Sequence, residues 1–99
     1  MIVVTGSVTA RPETFEEVRK LSLEHVHRSR TEAGCISHAV HFDCENPLRL
    51  VFIEQWADRA ALIAHFAVLA SRNFVRTLHP LAAGAPDIQI YEATKLEGL

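Results

Sequence analysis

The stretch from Leu50 to Phe66 constrains this chain more than any other. Leu50, Phe52, Glu54 and Trp56 share one face of an extended segment, and Val51, Ile53 and Gln55 share the other. Both faces are substantially apolar. A sheet covered on one side by its own helices should instead alternate apolar and polar residues. The segment therefore reads as a strand whose second face packs on another copy of the chain. Asp58 comes next as a helix N-cap, and the short helix after it carries His65. An acid, an indole and an imidazole meet at one strand–turn–helix corner, a plausible way to build a small-molecule pocket.

The rest of the chain supplies a sheet and helices around that corner. Ile2, Val4, Gly6 and Val8 alternate with Val3, Thr5, Ser7 and Thr9, which predicts a first strand over about residues 2–10. Pro12 with Glu13, Glu16 and Glu17 marks a helix start, and that helix is expected to run to about Thr31, with Gly34 closing it. A second strand is predicted over Cys35–Asp43 and a third over about Arg49–Trp56, joined by the Glu45-Asn46-Pro47 turn as an antiparallel hairpin. The second helix is expected over about Asp58–Val68. Ser71 is a candidate N-cap for a further helical piece through Phe74 and Leu78, which Pro80 ends or kinks. Ile88–Thr94 reads as the last strand. The order β-α-β-β-α-β, with right-handed crossovers, predicts one α+β domain over residues 1–99: a ferredoxin-like antiparallel sheet with helices on one face.

Composition narrows the function classes. Nearly half of the 99 residues are apolar, enough for a core, although a chain this short gains from association. Ten basic and twelve acidic residues form no basic stripe, so no nucleic-acid partner is expected. There is no apolar run of membrane-spanning length, and Met1–Thr5 reads as a strand rather than a leader. The cytoplasm is the expected location. Cys35 and Cys44 would lie about 30 Å apart along one strand, beyond disulfide reach, and are expected to be thiols, Cys35 a buried one. No Gly-rich phosphate loop or nucleophile elbow is present.

Gly34-Cys35, Asp43, Glu54-Gln55-Trp56, Ala64-His65-Phe66 and Ile88-Gln89-Ile90-Tyr91, in this element order, resemble the antibiotic biosynthesis monooxygenase superfamily. The likeness spans nearly the whole chain. It implies a homodimer whose two sheets form an α+β barrel, with a pocket between each sheet and its own helices. It also implies oxidation of a small aromatic, quinol-type or polyketide-like substrate by O2, without metal or flavin. Other members of the superfamily degrade haem or isomerise a sugar phosphate. This chain departs from the haem-degrading pattern: the first strand has no Asn, His65 stands in place of a Trp, and Val75 in place of a His. His38 also stands where many relatives have an aromatic residue, often Tyr, and Asn73 where many have a second His.

Cofactor-free oxidation needs a base in a dry, aromatic-friendly pocket. His65 is the first candidate, as base or hydrogen-bond partner of the substrate; otherwise it is a core histidine. Glu54 is expected to orient it, or else to pair with a basic residue or cap the second helix. Trp56, Phe66, Phe52 and Phe74 are candidate pocket walls, with His25 and His38 as further polar lining. His41 falls on the opposite sheet face, toward a partner copy. No metal is expected, because His25 and His27 diverge on their helix and His38 and His41 take opposite faces of their strand. Two other functions stay open on the same residues: proton-transfer isomerisation, and ligand binding without turnover.

Overall fold

A computed structural model describes all 99 residues. Four strands form one antiparallel sheet in the order β2-β3-β1-β4: β1 is Ile2–Thr9, β2 Cys35–Asp43, β3 Asn46–Trp56 and β4 Asp87–Glu92. Helix α1 (Phe15–Ser29) makes the first crossover. The second crossover carries α2 (Arg59–Ala67), α3 (Leu69–Leu78) and a 3-10 turn at His79–Leu81. This is the expected α+β ferredoxin-like fold.

Sequence chemistry explains the boundaries. Glu16 and Glu17 in the first turn of α1 and His27 and Arg28 in its last turn complement the helix dipole. The helix starts at Phe15 rather than at Pro12, because Arg11 to Thr14 close a turn of their own. Thr14 Oγ1 then donates to the Leu81 carbonyl at 2.7 Å and fastens this end of α1 to the long crossover. Asp58 caps α2 as expected, accepting from the Ala61 N–H at 2.9 Å. Ser71 is not an N-cap. The break falls at Val68, whose extended ψ of 125° ends α2 and starts α3, and Ser71 is buried inside α3. The break also resets the helical phase, so Leu69 is exposed instead of continuing the inward face of Leu62 and His65.

The inner sheet face is set by register. Ile2, Val4, Gly6 and Val8 of β1 stand opposite Trp56, Glu54, Phe52 and Leu50 of β3. On the other side of β3, His38 opposes Glu54 and Val40 opposes Phe52. A bulge at the start of β2 shifts the parity there, so Cys35, and not Ile36, packs inward against the Trp56 cluster. Cys35 is half-buried rather than buried. Two apolar clusters result. One gathers Val8, Ala10, Val18, Val26, Leu50, Phe52 and Leu78; the other gathers Ile2, Val4, Trp56 and Leu62. On β3, Glu54 lies between the two clusters and begins a polar layer through the core.

Candidate active site

Four elements supply that polar layer. Glu54 comes from β3, and His38 from the neighbouring position on β2. His25 sits on the buried stripe of α1 with Val18, Ser22, Val26 and Ser29. His65 is, with Leu62, the buried side of α2. The three imidazoles cluster at ring-centroid distances of 5.3 to 5.7 Å, and His65 also packs on Trp56 at 4.5 Å.

Hydrogen bonds define the tautomers. His65 Nδ1 lies 2.8 Å from Glu32 Oε1. A carboxylate only accepts, so Nδ1 carries the proton and a neutral His65 keeps its lone pair on Nε2. Arg28 bonds His25 Nδ1 at 2.8 Å. A guanidinium only donates, so Nδ1 is the acceptor and a neutral His25 carries its proton on Nε2. His38 Nε2 lies 3.2 Å from Glu54 Oε1 but off the line of a hydrogen bond, which leaves both nitrogens of this fully buried ring without a partner. Glu54 Oε1 instead accepts from the Trp56 indole N–H at 2.9 Å.

These surroundings shift the charges. Burial first, then the neighbouring His38, His65 and Arg28, push the His25 pKa down to about 3, so it is neutral at physiological pH. Burial alone would raise the Glu54 carboxyl; His38 and the Trp56 N–H outweigh it and hold the group below its ordinary value, as a carboxylate. Burial, reinforced by Glu32 and Glu54, raises the Cys35 thiol and makes it a poor nucleophile.

The layer opens into a cavity of about 440 Å³, within the range that holds a small organic molecule. His25, Glu54 and His65 form its polar end. Phe52, Phe66, Phe74 and Val75 are walls, Gly6 leaves room on the β1 side, and Pro86 to Ile88 line the far edge. The Nε2 atoms of His25 and His65 make no hydrogen bond and are not among the sealed polar atoms, so both are open to this space.

The structure thus brings His65, His25, Glu54, Phe52, Phe66 and Phe74 to one cavity. Two sequence candidates lie elsewhere: Trp56 and His38 are fully buried behind the polar end and do not line this cavity. The expected hydrogen-bonded Glu54–His65 pair does not form, because the Trp56 N–H takes Glu54 Oε1 while Glu32 bonds His65. Glu32 and Arg28 were missed altogether. Arg28 sits three residues after His25, a spacing at which helical side chains meet, and that signal was available in the sequence. Glu32 lies in the α1–β2 connection and meets His65 only through the tertiary fold.

The sequence pattern of the antibiotic biosynthesis monooxygenases matches residues 1–77. The chain belongs to this family. A Deinococcus radiodurans structure at 24% identity superposes with a TM-score of 0.94, over 100% of this chain and 98% of that one, which shows the shared fold. PA3566 from Pseudomonas aeruginosa is 28% identical with a TM-score of 0.84, over 95% and 94% of the two chains. The uncharacterized protein sll1783 of Synechocystis is 35% identical over 98 residues, which are 99% of this chain and 67% of that protein. No helix in this antibiotic biosynthesis monooxygenase family member is long and apolar enough to cross a membrane.

Local spacing does not reveal how the histidines of this family member gather. The histidines diverge pairwise as predicted, with His27 and His41 exposed, yet His25, His38 and His65 converge from three elements. One nitrogen from each lies within 4.8 Å of one from each of the others. The set still does not offer three free lone pairs. A neutral imidazole has one, and Arg28 occupies that of His25.

Proposed function

We propose that the chain oxidises a small hydroxylated aromatic molecule with O2, using His65 as the base. The observation that carries this reading is the Glu32–His65 pair: a carboxylate fixes the imidazole proton on Nδ1 and leaves Nε2 open to a cavity walled by phenylalanines. In this scheme the substrate O–H gives its proton to His65 Nε2. The phenolate passes one electron to O2, the resulting radicals combine at a ring carbon as a peroxide anion, and His65 returns its proton to give the hydroperoxide. Loss of water leaves a carbonyl, so a phenol and O2 become a quinone and H2O. All electrons come from the substrate, and the scheme calls on neither flavin nor metal. The protein binds the ring, excludes water and holds the base.

Oxygen uptake over a panel of quinols, naphthols and anthrones tests the reading. Uptake with a panel member, reduced about 10²–10⁴-fold by His65→Ala at an unchanged fold, is the expected result. Proton exchange or isomerisation without oxygen uptake would replace it with an isomerase, and binding without turnover with a ligand-binding module.

A further inference from the structure

The two open imidazoles are complementary. His65 presents a lone pair to the cavity, and His25 presents an N–H, because their outer nitrogens are tied to opposite partners, Glu32 and Arg28. The rings lie 5.4 Å apart between centroids, and a nitrogen of one is within 4.8 Å of a nitrogen of the other. Two hydrogen bonds of about 2.8 Å that meet at one oxygen separate their outer atoms by roughly 4.6–4.8 Å. The upper limit of that spacing matches one ligand oxygen bonded to both rings. His25 is also held in place: it stacks on Phe74 at 4.2 Å with the planes 7° apart.

We infer that the two open imidazoles at the polar end of the cavity form an oxyanion site for phenols and enols, in which Arg28 fixes His25 as a standing N–H donor, while the Glu54 carboxylate beside them is engaged by the Trp56 N–H. The ligand O–H bond breaks, its proton forms a new N–H bond at His65 Nε2, and the electron pair stays on the ligand oxygen. His25 Nε2–H donates to that oxygen as its charge develops, from a ring already held in place by Phe74 and Arg28. His25 is thus a second catalytic residue beside His65, and Arg28 is a positioning residue that acts through His25. This inference rests on His65 as the proton acceptor and is independent of any later reaction of the anion with O2.

The test reads ionisation and not turnover. The probe is 4-nitrophenol, whose anion absorbs in the visible, titrated with pH when bound to the full chain. The wild type should bind it and lower its pKa by about one unit, a tenfold shift toward the anion. His25→Phe should abolish the shift and Arg28→Met should reduce it. In a His25→Gln background the amide keeps an N–H that needs no tautomer partner, so a shift should persist and adding Arg28→Met should leave it unchanged. A merely structural Arg28 would lower it in both backgrounds. Absence of probe binding, an unshifted bound probe, or a shift that survives His25→Phe overturns the inference. Should a variant fail to fold, long-range proton–nitrogen NMR on the labelled wild type decides. His25 must appear as the Nε2–H form and His65 as the Nδ1–H form, and the reverse assignment at His25 overturns the proposal. Oxygen uptake has no part in either readout, so a lack of turnover counts against the oxygenase reading alone.

Discussion

Burying His25 couples the site to pH. Its folded pKa lies near 3 and its ordinary value is 6.5. Between those values the unfolded chain binds a proton that the native chain does not. Stability is therefore full above about pH 6.5 and falls as pH drops toward about 3, at up to about 1.4 kcal/mol per pH unit. Glu54, also depressed, adds to the loss at the acid end of that window. Thermal melting between about pH 7 and pH 4 should show the decline, and His25→Gln should flatten it. Equal slopes for both proteins would show that His25 is not the group responsible. At Glu32, replacement by Gln keeps size and polarity but removes the charge that fixes the His65 tautomer. We expect turnover to fall about 10²-fold with a small change in melting; full activity would remove Glu32 from the mechanism. Residues such as Glu32 were not legible in advance. Its partner lies 33 positions away, and a sequence shows an exposed-looking acid in a connection. His38 and Trp56 were legible as inward-facing, but parity does not say whether an inward side chain meets a cavity or a neighbour.

At the scale of elements the sequence was more informative, because strand alternation, the Asp58 cap and the Gly34 stop are local signals. β2 has the predicted limits Cys35 to Asp43, whereas helix limits were misplaced where a turn at Arg11 to Thr14 delays α1 and where a backbone torsion at Val68 separates α2 from α3. Gly34 has a larger role than ending a helix. It has φ +82°, and a Cβ there would stand 2.5 Å from the Ala61 Cβ. The start of β2 thus lies against α2, the arrangement that also lets Glu32 reach His65. Gly34→Ala combines backbone strain with a collision and should cost about 2–4 kcal/mol. Chemical denaturation measures it; a loss below about 0.5 kcal/mol would mean that the two elements part easily. An accompanying drop in turnover larger than the drop in folded fraction would tie this contact to the site.

For the whole molecule, the outer sheet face is unfinished. Ile53 is 44% exposed and Tyr91 51% exposed there, with Val3 and Val51 beside them and His41 on the same face. The apolar residues on this face are what led the sequence to a second copy. We expect sedimentation at micromolar concentration to give two chains, and Ile53→Arg to give one. A wild-type monomer would leave this face as a solvated sheet surface, with no barrel. The helix-covered side is also incomplete along β4, where Ile88 at the cavity edge is 53% exposed.

The Glu32–His65 contact closes 33 positions of chain around the β2–β3 hairpin, and under the proposed mechanism this would act as a safeguard. A nascent or partly opened chain contains every residue of the site but not an aligned base, since one partner lies before the β2–β3 hairpin and the other beyond it. Reactive phenolates would then form only inside a closed molecule. Catalysis should also vanish on warming before the helical signal does, so that activity reports the loosening of this fold earlier than spectroscopy.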